Sequence, residues 1–194
     1  MNYKQIINFY ESNMNLYKNK RILTKIYLKY KLSLIDKNKC YNKILDVGCA
    51  TGEFLNYVNA KKKIGIDISK KNLSIGRKRN KKNLNFIVAS AEYLPFKSNT
   101  FDLVTCFDVL EHTIDQKKVL AELHRVLNKG GRAIITTPNP KYYLILKILE
   151  KMKMKFPEGP CNYLNLNKIK KISSGFKINV YSTFGLEFLI EMMK

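Results

Sequence analysis

The stretch that decides the fold is residues 44 to 55, Ile-Leu-Asp-Val-Gly-Cys-Ala-Thr-Gly-Glu-Phe-Leu. The apolar residues before Gly48 are typical of a buried strand. Gly48 and Gly52 allow the backbone to turn tightly and to approach a ligand closely. The sequence that follows predicts a helix from Glu53, whose first amides would face the turn. A strand, a glycine turn and a helix in this order predict a nucleotide cradle.

A second apolar segment, Ile64-Gly65-Ile66-Asp67, ends in an acid nineteen residues after Gly48. In nucleotide-binding folds of this kind, an acid at this place accepts hydrogen bonds from a ribose diol. A dinucleotide dehydrogenase would also need glycine at position 50 and again near position 53, where this chain has Ala50 and Glu53. The pattern therefore favours a nucleoside-containing ligand other than a dinucleotide.

The spacing of Asp46, Gly48 and Gly52 resembles motif I of the class I S-adenosylmethionine (SAM) dependent methyltransferases. Further blocks follow in order between about residues 43 and 140, and together they resemble the type 11 group of that family. These blocks are Ala91 to Phe96, Phe101 to Val104, Glu111-His112, and Glu122 to Leu127 followed by Gly130-Gly131. The resemblance implies an enzyme that transfers a methyl group from SAM, its cofactor.

Strand candidates alternate with helical stretches along the chain. They cover residues 43–48, 63–68, 84–89, 101–107, 131–137 and 177–183. Strands joined by helices pair in parallel, so we predict an α/β, Rossmann-like, doubly wound and mostly parallel sheet with helices on both faces. Gly130-Gly131 is expected to end a helix over residues 115–127. The family usually has a seventh, antiparallel strand, which we expect to be missing or displaced here, since only Gly185 and a short apolar stretch follow the sixth.

The length of 194 residues predicts one domain. We expect residues 1–39 to form an N-terminal helical lid, residues 43–140 the SAM-binding core, and residues 141–194 an acceptor-covering helix followed by a C-terminal strand and tail. No apolar run reaches the roughly 18 residues of a membrane span, and the first residues do not resemble a signal peptide. We therefore expect a cytoplasmic protein.

The resemblance also implies which residues bind each part of SAM. The methionine end is expected to contact backbone groups at Asp46, Gly48, Cys49 and Ala50, with Gly52 permitting the turn. Asp67 would hold the ribose, Ile68 would pack on the adenine, and Phe107 and Asp108 would line the sulfonium side. Where the family often has an Asp that accepts from the adenine amino group, this chain has Ser90. Ser90, the Ala91 backbone or Glu92 is expected to take over that hydrogen bond.

Glu111-His112 follows the fourth strand, where the active-site mouth of such a sheet is expected. His112 is a candidate general base for a hydroxyl acceptor, because its ordinary pKa lies near neutrality; a histidine that only orients the loop is the alternative. Asp108, Glu111 and His112 also look like a weakened form of the E-x-x-E-H metal motif. The first glutamate of that motif is replaced, and no metal is expected.

The formal net charge of +21 raises the question of nucleic acid, since a basic face binds phosphate backbones. Of the 36 basic residues, 31 are lysine and 5 are arginine, although arginine is preferred for bidentate phosphate contacts. We therefore expect a small-molecule or lipid-like acceptor, with an RNA methyltransferase or a non-catalytic SAM-binding module as alternatives. Residues 142–156 predict a basic amphipathic helix that could also touch an anionic membrane. The acceptor and the oligomeric state are not readable from the sequence.

Overall fold

A computed structural model describes residues 2–12, 22–36, 38–79, 84–152, 159–183 and 187–194. The helices are α1 (Tyr3–Ser12), α2 (Ile22–Ser33), α3 (Lys70–Arg79), α4 (Gln116–Val126), α5 (Tyr143–Lys151) and α6 (Leu166–Ile172). The strands are β1 (Tyr41–Val47), β2 (Ala60–Asp67), β3 (Leu84–Val88), β4 (Phe101–Phe107), β5 (Leu127–Pro138), β6 (Lys177–Thr183) and β7 (Glu187–Met193). Short 3-10 helices cover Phe54–Asn56, Leu110–His112 and Pro140–Tyr142.

The strands form one seven-stranded sheet in the order β3-β2-β1-β4-β5-β7-β6. The first five strands pair in parallel, and β7 runs antiparallel between β5 and β6. The predicted doubly wound, mostly parallel sheet is confirmed. Because the strand order reverses between β1 and β4, the carboxyl ends of these two strands flank the switch point where ligands bind in such sheets.

Helices cover both faces of the sheet, as the alternating sequence pattern predicts. On one face, Val119 and Leu123 of α4 and Ile169 of α6 belong to the larger buried cluster. On the other face, α2 and the 3-10 helix after the glycine turn pack on residues that include Ile44 and Ile134. The residues of β1 and β4 that precede the site are almost entirely buried, so the sheet holds their last residues rigidly.

The expectation of a missing or displaced seventh strand is wrong. Glu187–Met193 pairs along its whole length with both β5 and β6. Most residues of β7 are buried, so it lacks the polar alternation of a half-buried strand and looks like a short apolar tail in the sequence. Residues 184–186, which include Gly185, lie outside the described residues.

Two predicted helix boundaries are also wrong. Within the described stretch 38–79, no α-helix begins at Glu53; the chain forms only the 3-10 helix before β2 begins at Ala60. Twelve residues separate β1 from β2, the least that a parallel crossover needs, and the glycine turn uses five of them. The pair Gly130-Gly131 does not end α4 but lies inside β5, where Gly130 N and Gly131 O bond Lys194.

The N-terminal segment, where helices were predicted over residues 1–39, contains α1 and α2. Residues 13–21 between them lie outside the described residues. The helix predicted over 142–156 appears as α5, and residues 153–156 of that prediction lie outside the described residues. Ser69 caps α3, since its Oγ accepts from Asn72 N at 3.2 Å. No helix in the described ranges is long and apolar enough to cross a bilayer.

Candidate functional site at the carboxyl end of the sheet

The glycine turn after β1 has a left-handed backbone. Gly48 and Gly52 both have φ of +73°, a conformation that favours glycine. A Cβ on Gly48 would overlap Cγ2 of Val109, which follows β4. Ala50 also has a positive φ, +47°, which costs a residue with a Cβ about 1–2 kcal/mol. The turn is therefore held tightly against the end of β4, at the switch point of the sheet.

The amides of the turn are committed to the neighbouring strand. Gly48 N and Cys49 N donate to Ile66 O at 2.8 and 2.9 Å, and Ala50 N donates to Asp67 Oδ2 at 2.9 Å. The predicted row of free helical amides is not formed, because the helix expected from Glu53 is replaced by a three-residue 3-10 helix. The turn therefore binds its own chain with its donors, and the carboxyl groups around it are the ligand-facing candidates.

Asp67 lies at the end of β2, beside the turn. Its Oδ1 accepts from Ser69 N at 2.8 Å and its Oδ2 accepts from Ala50 N, so two backbone amides fix the carboxylate. Burial raises the pKa of Asp67 and the amide hydrogen bonds oppose that rise. The residue remains partly exposed, as does Ile68 beside it. A fixed, partly exposed acid at this strand end fits the predicted ribose contact.

The three residues expected at the adenine divide between two roles. Ser90 is half-buried, and its Oγ lies 3.2 Å from the hydroxyl of Tyr3 in α1. The carboxylate of Glu92 is buried and accepts from Ile114 N at 2.6 Å and Asp115 N at 2.8 Å. Glu92 therefore holds the start of α4 through its Oε1, and its predicted contact with the adenine stays a prediction. Ala91 is buried in the core, which leaves Ser90 as the side chain at this edge.

Asp46 is a buried acid in β1, 4% exposed. Its Oδ1 accepts from Thr105 Oγ1 of β4 at 2.7 Å. Burial raises the pKa of Asp46 to about 7, against the opposing effects of the Thr105 hydrogen bond and of Lys31. An acid that titrates near neutrality beside the glycine turn can hold a proton or accept from a cationic group.

Asp108 follows β4 and has a left-handed backbone, with φ of +54°. Its Oδ1 accepts from Tyr27 at 2.8 Å and from Thr136 Oγ1 at 3.0 Å, and its Oδ2 pairs with Lys31 Nζ at 3.1 Å. Strained backbone that several elements hold in place is typical of functional sites. Phe107, by contrast, is 7% exposed and packs edge-on against Phe54, so it lies in the core beside the site.

Tyr27 and Lys31 are site residues that the sequence reasoning missed. They lie one turn apart on α2 and both reach Asp108. Burial raises the pKa of Tyr27 well above its usual value, followed by the charges of Asp108 and Glu187. In the sequence, Tyr27 looks like one apolar position of an amphipathic helix. The signal that could have separated it is a hydroxyl within an apolar stripe, followed four residues later by a lysine.

Glu111 and His112 lie close together in the 3-10 helix after β4. Glu111 is 1% exposed; its Oε2 accepts from Thr137 at 3.0 Å, and its Oε1 is 3.8 Å from His112 Nε2. Burial, followed by the charge of Asp108, raises the pKa of Glu111 to about 8. His112 Nδ1 lies 2.9 Å from Pro160 O, and this carbonyl can only accept. Nδ1 therefore carries a hydrogen, and in the neutral ring the lone pair is on Nε2, toward Glu111.

Two segments border this pair. The ring of Tyr10 in α1 packs edge-on against His112, with centroids 5.7 Å apart. Asn162 N donates to Glu111 O at 2.6 Å, and Gln116 holds Asn162 O at 2.7 Å. Since α1 reaches both Ser90 and His112, it spans the carboxyl edge from β3 to β4. Within the described ranges, no group of three or more His, Cys, Asp and Glu residues is arranged to hold a metal ion.

The amino-acid sequence of this chain is similar to those of known proteins. The profile described as "Methyltransferase domain" (Methyltransf_11) matches residues 45–135. An uncharacterized protein of Methanocaldococcus jannaschii is 36% identical over 144 residues, which are 73% of this chain and 55% of that protein. The demethylmenaquinone methyltransferase of Lactococcus lactis is 37% identical over 50% of this chain and 42% of its own length. This chain therefore spans about half the length of the curated relatives that it matches.

Solved structures support the fold. A SAM-dependent methyltransferase from Thermotoga maritima superposes with a TM-score of 0.72 at 19% identity, over 97% of this chain and 99% of that one. The likeness covers nearly the whole of both chains. At this identity it concerns the fold alone.

Proposed function

Because this chain belongs to the type 11 group of the class I SAM-dependent methyltransferases, we propose that it transfers a methyl group from SAM to a small-molecule or lipid-like acceptor. One observation carries the proposal. The side chains of Asp46, Asp67 and Asp108 lie at the carboxyl ends of β1, β2 and β4, around a glycine turn at the switch point of the sheet. That arrangement offers carboxyl groups to a cationic nucleoside.

The acidic side chains at this edge fit SAM by charge. SAM carries a sulfonium, an ammonium and a ribose diol, which call for acceptors, and this edge presents acids in a chain whose net charge is +21. We assign the ribose to Asp67, the adenine to Ile68 and Ser90, and the cationic methionine end to the segment from Asp46 to Gly52 with Asp108. When bound, SAM would supply a methyl group from its sulfonium, and the neutral thioether that remains would be the leaving group.

Alignment is the main task left to the protein, since the leaving group is already good. The hydrogen bonds from Tyr27 and Thr136 hold one oxygen of Asp108, and Lys31 holds the other. These three contacts hold both oxygens of the Asp108 carboxylate. Asp108 can then orient the cationic group across the switch point, and α1 with the segment around Pro160 excludes water from the mouth.

For Glu111 and His112, the candidate catalytic residues, we propose that the pair positions the acceptor side of the mouth. His112 Nδ1 is used by Pro160 O, and Nε2 points to Glu111, whose raised pKa keeps a proton on it at neutral pH. A general base for an outside hydroxyl would need one of these nitrogens to face the acceptor. The contacts therefore support the orienting role over proton removal.

Two observations support the proposed acceptor class. One relative is named for demethylmenaquinone, a small molecule, and the lysine-rich composition disfavours base-specific RNA contacts. The lid formed by residues 1–39, the single domain with its core at 43–140, and the cytoplasmic location stay predictions. So does the acceptor-covering role of residues 141–194.

Radiolabelled SAM offered to fractions of a cell extract tests the proposal. With SAM below saturation, we expect label in the small-molecule or lipid fraction with the wild-type chain and with Asp102→Asn, and at least tenfold less with Asp67→Asn. Asp102 is the matched control, because its carboxylate also accepts from two backbone amides but lies at the opposite edge of the sheet. Label in RNA would contradict the acceptor class, and no label in any fraction would favour the non-catalytic module.

A further inference from the structure

Helix α5 is poorly covered by the rest of the protein. Its described side chains are half-buried or exposed, and none is buried. The apolar residues are among the most exposed in the chain: Leu144 is 74% exposed, Ile148 57% and Met152, at the end of the helix, 63%. Soluble monomers rarely expose contiguous apolar residues in this way, and such a patch marks an interaction surface.

The exposed residues form one stripe. Leu144, Ile148 and Met152 follow at four-residue steps, so they lie on one line of the helix, with Ile145 beside them. Lys147 and Lys151 lie at the edge of the same stripe, and Lys147 also pairs with Glu150 at 2.8 Å. We call this surface the α5 stripe. Apolar residues bordered by lysines are the pattern of a helix that lies in a membrane interface.

The α5 stripe lies next to the proposed acceptor mouth. The helix follows β5 at the carboxyl end of the sheet, with only the Pro140–Tyr142 turn between them. Tyr143 packs against Tyr163 with ring centroids 5.5 Å apart, and the neighbouring residues Pro160 and Asn162 contact His112 and Glu111. A surface that binds α5 would therefore be close to the mouth.

We propose that α5 docks the protein on an anionic phospholipid bilayer. Charge complementarity decides the occupant: a chain with a net charge of +21 is attracted to an anionic surface, and its lysines add to that attraction at the stripe. A second copy of the same chain would bring another +21 against the same patch, which disfavours self-association. Nucleic acid offers charge but no apolar phase for Leu144, Ile148 and Met152.

Docking goes beyond methyl transfer and is independent of it. The consequence that a lipid-like acceptor reaches the mouth from the bilayer rests on the proposed function. The docking itself requires neither SAM nor an acceptor. A vesicle experiment without SAM can therefore fail while methyl transfer stands, or succeed while methyl transfer fails.

Co-sedimentation of the full chain with phosphatidylcholine vesicles, with and without phosphatidylglycerol, tests the proposal. We expect binding to the anionic vesicles only, weakened by salt. The double variant Leu144→Ser/Ile148→Ser should lower the partition coefficient at least tenfold, since it removes two exposed apolar side chains from the middle of the stripe. Lys147→Gln/Lys151→Gln should lower it by roughly thirtyfold, at about 1 kcal/mol for each lysine.

Matched controls separate the stripe from general effects. Tyr57→Ser/Tyr181→Ser removes two exposed apolar side chains on other elements, and Lys61→Gln/Lys78→Gln removes two exposed lysines. Both should bind vesicles almost as the wild type does, and thermal unfolding checks that all variants are folded. Equal binding to both vesicle types, no binding to either, or equal loss in a stripe variant and its control would overturn the proposal. So would a dimer in gel filtration that the Leu144→Ser/Ile148→Ser variant abolishes.

Discussion

The two edges of the sheet treat their acidic residues differently. At the amino edge, Asp102 of β4 accepts from Asn42 N, Lys43 N and Asn128, all at 2.8 Å. Those donors come from the starts of the neighbouring strands. At the carboxyl edge, Asp108 is held by side chains from α2 and β5, on a left-handed backbone.

The comparison distinguishes an acid that stabilises the sheet from acids that lie at the candidate site. Asp102 ties neighbouring strand ends together and needs no further partner. At the carboxyl edge, burial raises the pKa of Asp46 and of Glu111. The backbone of the same edge is strained at Ala50 and at Asp108, where φ is positive. Such arrangements cost stability and persist where a site requires them. The strain and the buried acids therefore support the proposal that the carboxyl edge is the functional one.

The largest expected effect separates two glycines with the same backbone. Gly48→Ala should destabilise the protein by about 3 kcal/mol, because a left-handed alanine costs 1–2 kcal/mol and its Cβ would overlap Val109. Gly130→Ala at the other edge should cost only the backbone term, since φ is +74° and no atom lies within 4 Å of the added Cβ. Urea unfolding measures both.

Adding Val109→Ala sharpens this test. In the Gly48→Ala protein, Val109→Ala should restore part of the lost free energy of unfolding. In the wild type, it should lower the free energy of unfolding. Equal destabilisation by Gly48→Ala and Gly130→Ala would show that the turn is not packed against the end of β4.

The second prediction concerns pH. The folded-state pKa of Glu111 is raised to about 8 from an ordinary 4.5, so at pH 6 the folded protein holds a proton that the unfolded chain has released. The free energy of unfolding should therefore fall as pH rises from about 4.5 to 8, by at most about 1.4 kcal/mol for each pH unit. Asp46 adds the same sign up to about pH 7.

Glu111→Gln should flatten this decline, because the amide cannot ionise. Urea unfolding at a series of pH values measures the slope in both proteins. A slope as steep in Glu111→Gln as in the wild type would mean that Glu111 is ionised in the folded protein at neutral pH.

The smallest expected effect is at Ala50. Ala50→Gly removes a left-handed strain of about 1–2 kcal/mol but raises the entropy of the unfolded chain, which costs about 0.4–1 kcal/mol, so the net gain should lie between about 0 and 1.6 kcal/mol. Asn99→Gly is the control, because Asn99 has a similar φ of +54° and asparagine tolerates it better. A loss above 1 kcal/mol in Ala50→Gly would mean that the methyl group of Ala50 packs in the core.

Local patterns in the sequence predict most of the sheet and the glycine turn. The six predicted strands all appear, because apolar runs of strand length between turn residues are a local signal. The pattern failed at Glu187–Met193, where burial on both faces removes the alternation, and after Gly52, where loop length and not propensity limits the helix. These failures have the same cause: pairing with distant segments overrides the local pattern.

The residues of the candidate site also differ in how far the sequence predicts them. Asp46, Asp67 and Asp108 were predictable because each ends a strand and is placed by the fold. Tyr27 and Lys31 were not, since their contacts with Asp108 span 81 and 77 residues of sequence. The contacts of Glu92 were not predictable for the same reason: its partners Ile114 and Asp115 follow more than twenty residues later. A side chain that pairs across the fold leaves little local signal.

The central claim is that the carboxyl edge binds SAM through Asp67. Isothermal titration of the wild-type chain with SAM and S-adenosylhomocysteine, with NAD as a negative control, tests it most directly. We expect saturable binding of both nucleosides, weakened roughly tenfold to a hundredfold in Asp67→Asn through the loss of a charged hydrogen bond, and unchanged in Asp102→Asn. No binding to the wild type, or equal affinity in Asp67→Asn and the wild type, would contradict the account.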